Sequence, residues 1–574
     1  MNRPRTAAAV LSVLSAVATV AGANAATFSA RDSNALIEAV QADDRASVAR
    51  LLAKDPSVNS QQDDGSTALA WAAIRCNSEI AQMLLKAGAN PNLTNEQGVG
   101  PLYIAIQNGS IPIVRILLAH GANPNLARMD GETPLMLAAR LGQVELMKLL
   151  LDRGAEVNAR EKKFNQTALM WAAGHPAATR LLLDHGADIH AVSKTWKITA
   201  TIYTPTTSTI GKTGIPWNND GTWSGDQGGQ NALLFAVHQH DLESARMLLD
   251  AGVDVNIRAA DGTTPLLAAL YKWDPLGKEF VAGTGAPAAS GSSAHFGADI
   301  QMANFLLDRG AKVQVADSAG YTPLHGAALA VASITTGGRD RSAYGNHRAL
   351  KDKQSAATRD PAAAAKLKDA LAMVRRLLDA GGDPNQQTLY PTEGPVGDVR
   401  INPAPPGSSA FHIAADSDCL ELVQLLADKG GNPNLLRKDG HTPFSVSVLS
   451  LDLPIVKEMV ARGANLSLHY NPTDHFADPV KPISLTRSNQ TIMHIAAGAG
   501  APEIIEYLYS LGVGLDAKNS MGETPLDLAD HQERYREARA REAAEDKPDR
   551  TVKRDTSTTD MIRKLLAQTQ SPAR

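Results

Sequence analysis

Asp130-Gly131-Glu132-Thr133-Pro134-Leu135-Met136-Leu137-Ala138-Ala139-Arg140-Leu141-Gly142, continuing through Gln143 and Val144 to Leu149-Leu150-Leu151-Asp152-Arg153-Gly154-Ala155, is the stretch from which the architecture can be read. Asp130-Gly131 is a turn dipeptide. Thr133 can cap a following helix, and Pro134 suits its first turn, where a missing N–H costs nothing. Leu135, Ala138 and Ala139 share one face at helical spacing, and Gly142 breaks that helix. Val144 to Leu151 supplies a second helix, which Gly154 ends at a position where positive φ is easily reached. The unit is a hairpin turn, an inner helix, a short turn and an outer helix.

The same signals recur along the chain. A Gly-Ala-(Asn/Asp)-Pro/Val tetrad or its variant opens at Gly88, Gly121, Gly154, Gly186, Gly252, Gly310, Gly381, Gly430, Gly463 and Gly512. The first three intervals are 33, 33 and 32 residues. With its Thr-Pro-Leu start, this period resembles the ankyrin-repeat family over roughly residues 34–530. The resemblance implies an all-α ankyrin solenoid of helix-turn-helix units with β-hairpin fingers. It also implies a surface for partners with no reaction of its own.

About twelve units can be counted. Residues 34–62 form an atypical N-terminal cap, with residues 26–33 as a linker before it. Units 63–95, 96–128, 129–160 and 161–191 follow. Later starts lie near Gln230, Asp261, Gly320, Phe411, Asp439, Met493 and Gly522. The later intervals lengthen to 66, 58, 71, 49, 33 and 49 residues, and the excess measures insertions. Insertions 192–228, 389–406 and 469–487 lie between a tetrad and the next inner helix, so they lengthen hairpins. Insertions 274–298 and 331–359 lie between inner and outer helices, so they lengthen the far turn. Asp360-Pro361 should start a long helix running to about Asp379. Residues 531–574 read as a charged helical tail, disordered over 547–558, with a C-terminal capping helix near 560–567.

The composition agrees with a repeat stack rather than the roughly four globular domains that 574 residues would otherwise suggest. Aromatics are only 4%, as expected where helices stack through small residues. Residues 1–25 read as a secretory signal peptide: Arg3 and Arg5 make a basic start, Thr6 to Val20 is uncharged and apolar, and Ala23-Asn24-Ala25 fits the cleavage rule. Without Arg3 and Arg5 the balance is 54 basic to 60 acidic residues, which gives no footprint for nucleic acid. No later run of about 18 apolar residues exists, so no membrane insertion is expected after signal removal. The expected location is the periplasm or the exterior. The two cysteines, Cys76 and Cys419, lie about seven repeats apart, beyond the roughly 7 Å Cα limit for a disulfide.

Motifs that suggest chemistry lack their contexts. Gly211-Lys212-Thr213 resembles the end of a phosphate loop, but Thr206 stands where Gly is needed. Gly283-Thr284-Gly285-Ala286-Pro287-Ala288 has no βαβ unit around it. His238-Gln239-His240-Asp241 has no third ligand at zinc-site spacing and falls in a turn by repeat register. Trp71 and Trp171 occupy matching slots that pack between inner helices. His325, His412 and His494 hold a position where the ankyrin resemblance implies hydrogen bonds tying hairpins together. No Ser/His/Asp, Cys/His or paired-carboxylate set is brought together by spacing, so no catalytic residue, cofactor or metal is expected.

The resemblance implies a concave groove whose variable slots follow each Ala-Ala pair. They are Ile74-Arg75, Gln107-Asn108, Arg140-Leu141, Gly174-His175, His238-Gln239 and Leu270-Tyr271. This mixed set suits a folded protein partner better than a nucleic acid. Trp196, Tyr203, Trp217 and Trp223 fall in the 192–228 insertion among Thr, Gly and Asn, with Thr199 to Thr209 β-prone. These rings fit a binding surface, or they fold back over the loop's own small core. The chain therefore reads as a monomeric, non-catalytic protein–protein interaction scaffold that is exported. A secreted effector binding host proteins, or an enzyme with its site in the inserted loops, are the alternatives.

Overall fold

A computed structural model of the chain describes residues 27–54, 57–205, 217–271, 298–336, 360–389, 407–437, 440–470, 488–542 and 556–570. They fall into two compact units, one ending at Lys163 and the other beginning at Phe164. The expected signal peptide, most of the four later insertions, the 206–216 tip and both glycine-rich phosphate-type motifs lie outside the described residues.

The first unit contains four helix pairs. These are α1 (Thr27–Gln41) with α2 (Arg45–Leu52), α3 (Ala68–Ile74) with α4 (Ser78–Lys86), α5 (Pro101–Gln107) with α6 (Ile111–Ala119), and α7 (Pro134–Arg140) with α8 (Val144–Leu151). The first members stack as an inner row and the second members as an outer row. Helix α1 takes in nearly all of 26–33, so the expected linker is helical.

Local chemistry accounts for each pair. The Thr67 and Thr133 hydroxyls accept from Ala70 N at 3.1 Å and Met136 N at 3.2 Å, satisfying amides that the first helical turn leaves open. Pro101 and Pro134 follow their caps. Asn77 caps the outer helix α4 through Ile80 N at 2.9 Å. Where inner helices meet, Ala72, Ala73, Ala105, Ala138 and Ala139 are fully buried. The small side chains allow the close approach, and burying apolar surface between units supplies about 25 cal/mol per Å².

An asparagine ladder ties successive tetrads together. Asn59, Asn92 and Asn125 each donate from Nδ2 to the tetrad glycine carbonyl of the next unit, Gly88, Gly121 and Gly154, at 3.1, 3.0 and 2.9 Å. Their Oδ1 atoms accept from Asn90, Asn123 and Glu156 N at 2.6 to 2.7 Å. One amide thus satisfies a donor and an acceptor of the next loop, at about 1 kcal/mol per bond.

The second unit repeats the plan from α9 (Ala168–Trp171) and α10 (Pro176–Asp184) to α11 (Ala232–His238) and α12 (Leu242–Asp250), then α13 (Pro265–Leu270) and α14 (Ile300–Asp308). Next come α15 (Pro323–Thr336), α16 (Pro361–Asp379), α17 (Ala410–Ala415), α18 (Leu420–Asp428), α19 (Pro443–Leu449), α20 (Leu453–Ala461), α21 (Ile492–Ala499) and α22 (Pro502–Ser510). Helix α23 (Pro525–Glu542) and α24 (Ser557–Gln570) close it. The inner helix of the last repeat and the charged tail helix are one continuous element, α23. Helix α24 is longer than expected and packs on α22 and α23. It is held where Glu533 accepts from Thr559 N at 3.0 Å and from the Thr559 hydroxyl, with Ile562 and Leu565 buried.

The asparagine ladder continues here through Asn256, Asn385 and Asn434 onto Gly310, Gly430 and Gly463. Along the outer row, the aspartate ending one helix pairs with a base of the next repeat: Asp250–Arg309, Asp308–Arg376, Asp379–Lys429 and Asp428–Arg462, at 2.5 to 2.8 Å. These pairs are exposed and each contributes at most about 1 kcal/mol.

Between α10 and α11 the chain forms a two-stranded antiparallel ribbon, β1 (Thr195–Pro205) and β2 (Trp217–Gly228). Of the stretch 199–209 that reads as β-prone, residues 199–205 lie in the first strand and the rest lies outside the described residues. Both cysteines are free thiols, Cys76 exposed and Cys419 buried.

Candidate protein-binding surface

The fingers of the first unit form a backbone row. Glu96 N donates to Asp64 O at 3.2 Å, Met129 N to Gln97 O at 3.3 Å, and Lys162 N to Asp130 O at 2.8 Å. Each finger therefore fixes the next, and side chains at the tips stand on a rigid frame. Met129 is 67% exposed at one such tip.

The slots after the Ala-Ala pairs present mixed chemistry in this unit. Ile74 is half-buried, while Arg75, Gln107 and Asn108 are exposed. Leu141 is 41% exposed. Two slots also serve the fold: Asn108 Nδ2 donates to Ala73 O at 3.3 Å, and Arg140 donates to Glu132 at 2.8 Å. Glu132 is only 4% exposed and accepts a second bond from Arg128 at 3.0 Å. Arg128 lies over the Tyr103 ring, 5.4 Å from its centroid, and donates to its hydroxyl at 3.2 Å. Burial, then the Glu132 charge, push the Tyr103 hydroxyl up to about 12. The buried carboxylate is thus held by two guanidinium groups, the arrangement that makes burying it tolerable.

In the second unit His175 and His238 are half-buried and Gln239 is exposed. Tyr271 corrects the sequence reading. Helix α13 ends at Leu270, Tyr271 turns into extended backbone at φ −137° and ψ 105°, and its ring stacks on Tyr321 at 4.8 Å and 10°. It is 7% exposed and offers a partner almost nothing. The sequence reading assumed that the inner helix runs on to the slot, as it does at Arg140.

The residues weighed for chemistry hold structural posts. Asp241 caps α12 through Ser244 N at 3.0 Å, and the His240 ring faces Asp299 at 3.1 Å. Among the described residues no group of three His, Cys, Asp or Glu side chains could hold a metal ion. The Trp71 and Trp171 Nε1 atoms donate to Gln62 and Gln166 at 2.8 Å. His325 and His494 tie hairpins as the resemblance implies: Nδ1 meets the hydroxyl of Thr322 or Thr491, and Nε2 faces the Ser408 or Glu523 carbonyl in the next repeat. His412 makes the same Nδ1 contact with Ser409 at 2.9 Å.

Burial pulls the His325 imidazole down to about 4. A folded value below the ordinary 6.5 or so means that the unfolded chain takes up the proton first. The stabilisation is complete above about pH 6.5 and is lost as pH falls toward 4. Asp317, raised by burial to about 6, works in the opposite direction over the same window, so the wild type alone shows little net slope from the pair. The difference in stability between the wild type and His325→Gln isolates the histidine. It should shrink by up to about 3 kcal/mol from pH 6.5 to pH 4 in denaturant titrations. A constant difference would show that His325 does not titrate this way.

The ribbon is rooted in hairpins of the second unit. Lys194 N donates to Phe164 O at 2.7 Å, Ser193 N to Gln230 O at 2.8 Å, and Ala260 N to Gly228 O at 3.0 Å. The Trp196 ring meets Phe164 with centroids 5.3 Å apart and planes at 52°. Of the four aromatics, Trp196 is therefore half-buried at the root. Trp223 pairs with Ala200, Tyr203 with Asn219 beyond a bulge, and Trp217 with Pro205 at the far end. Phe164, which anchors the root, was missed because nothing at its position marks it as the seat of an insertion that begins 28 residues later.

No helix among the described residues is long and apolar enough to cross a membrane. Sequence models described as ankyrin repeats match residues 36–128, 121–193 and 362–470, another matches 477–529, and a single-repeat model matches 228–260. The chain is similar to the cyclin-dependent kinase 4 inhibitor B of Mus musculus, 38% identical over 119 residues, which is 21% of this chain and 79% of that protein. It is also similar to the mitochondrial disaggregase of Homo sapiens, 40% identical over 86 residues, or 13% of this chain and 12% of the relative. A transient receptor potential cation channel subfamily A member 1 homolog of Caenorhabditis elegans is 28% identical over 130 residues, 22% of this chain and 9% of the channel. Matches to the last two cover about a tenth of their length. The repeat signals, the helix pairs and these matches agree: the chain belongs to the ankyrin-repeat family.

Proposed function

We propose that this protein is an exported, non-catalytic scaffold that binds a folded protein partner through its finger and inner-helix face and through the 192–228 ribbon. The observation that carries the reading is the row of exposed, chemically mixed positions on a hydrogen-bonded frame. Met129 and Leu141 offer apolar contact, Arg75 a cation, and Gln107 adaptable hydrogen bonding. Such a mixture fits the surface of a folded protein. Export rests on the sequence of residues 1–25, with a mature chain beginning at Ala26, active as a monomer in the periplasm or outside the cell.

The test is affinity capture by the mature protein from a periplasmic extract of its own source, with N-terminal sequencing of the exported chain. A stoichiometric protein partner and an Ala26 start support the proposal. An intact Met1 on membrane-bound material overturns export. A purified protein that carries a cofactor or metal and turns over a small molecule, with no protein captured, overturns the scaffold.

A further inference from the structure

The ribbon has two strands, eleven paired positions and no third strand among the described residues. At about 3.3 Å per residue it is roughly 36 Å long. A lone two-stranded ribbon is marginal in water until a further strand or a packed layer completes it. Its register sets Trp196, Ile198, Ala200 and Ile202 opposite Gln227, Gly225, Trp223 and Gly221, and Lys197, Thr199 and Thr201 opposite Asp226, Ser224 and Thr222, so apolar and polar positions alternate along the first strand.

The two outer edges differ. Proteins blunt an exposed edge with charges, prolines and bulges. Strand β2 carries Asp220, Asp226, Gly221 and Gly225, and the register shift opposite Ile202/Tyr203 adds an extra residue to it. Strand β1 has Lys197 near its root and Pro205 at its end. Between them Ile198-Thr199-Ala200-Thr201-Ile202-Tyr203-Thr204 contains no charge, proline or glycine, and six of the seven residues are β-branched or aromatic. Among the described residues this backbone edge pairs with no further strand, and its sequence is suited to pairing.

We propose that the β1 edge from Ile198 to Thr204 takes up an extended segment of the partner protein as a third strand. This rests on the reading that the ribbon holds the partner. Backbone hydrogen bonds would supply affinity, and the face register would favour a segment alternating apolar and polar residues. A second copy of this chain fits less well. Ribbon packed face to face on ribbon would bury only about 700 Å², short of the roughly 1,200 Å² of a stable interface. Antiparallel pairing of two β1 edges would set the two ribbon roots at opposite ends, so the finger rows could add nothing. A partner protein can also use the neighbouring hairpins of the second unit, because the ribbon root is bonded to them at Phe164 and Ala260.

The probe is a peptide selected from a random dodecapeptide display library on the immobilised full-length chain. Each backbone amide of the peptide is then N-methylated in turn. Strand addition gives a period-two pattern, with affinity falling about fivefold or more at alternate positions and unchanged between them, together with slowed amide exchange over 198–204. If peptides bind equally to a chain in which a short hairpin replaces 192–228, the location of the site is wrong. If binding needs the ribbon but shows neither the period nor the protection, strand addition is wrong and the location stands. Failure to select any ribbon-dependent peptide, or a doubled mass in solution that the replacement abolishes, also overturns the proposal.

Discussion

Replacing Gly131 by valine is expected to destabilise the first unit by about 4 kcal/mol, among the largest effects of any single change in the finger row. Two causes add. Gly131 has φ +87°, where a β-branched residue is strained by about 1 to 3 kcal/mol. A Cβ at this position would also lie 2.9 Å from Lys162 N, 3.0 Å from Lys162 Cγ and 3.2 Å from Glu161 Cα, where the next finger crosses. The tetrad glycine Gly154 separates these causes. It has φ +81° but nothing within 4 Å of an added Cβ. Asparagine tolerates positive φ, so Gly154→Asn should cost about 1 kcal/mol or less, while Gly131→Asn should still cost about 3 kcal/mol. Denaturant titration of the three variants checks the order. Equal losses at 131 and 154 would mean that conformation alone, without the neighbouring finger, sets the requirement for glycine.

Gly228→Ala is expected to melt the ribbon while sparing the helices. Gly228 has φ +83°, and an added Cβ would collide with the Lys194 carbonyl oxygen and lie 2.6 Å from the Trp196 ring. The methyl group must push Trp196 off Phe164 and part the first strand pair. A local loss of about 3 kcal/mol corresponds to about a hundredfold faster amide exchange over residues 195–204. The helical melting temperature should move little, because α11 keeps its own cap, Asn231 to Leu234 N at 3.1 Å. Unchanged exchange in the variant would show that the ribbon does not depend on this root.

The repeat architecture was legible because most units restate it. Turn glycine, capping residue and small inner-helix side chains recur in most units with the same local physics, and helices begin where Thr133 and Thr442 cap them. The asparagine ladder was equally written in the chain, as the fourth residue after Gly88, Gly121, Gly252, Gly381 and Gly430. It escaped notice because a loop asparagine looks solvated until the next loop is set beside it. Tyr271 was misplaced for a different reason. The repeat pattern cannot tell where an insertion cuts its inner helix short, and the ring went to the Tyr321 stack instead of the surface. The clamp on Glu132 was also invisible, since Arg128 and Arg140 lie on separate elements that only the folded unit brings to one carboxylate. For the candidate site, composition pointed to the 192–228 insertion, but only the strand register separates Trp196 at the root from Trp217 at the far end.

The most direct test of the scaffold reading is to replace residues 192–228 by a two-residue hairpin and measure binding of the captured partner alongside thermal melting. The ribbon is an outgrowth of the second unit's hairpins at Phe164, Gln230 and Ala260, so the melt should be nearly unchanged. The partner should lose at least about thirtyfold in affinity, the effect of removing one interfacial hot spot worth about 2 kcal/mol. Full affinity in the replaced chain would contradict this and move the site to the inner-helix slots around Arg75, Gln107 and Leu141.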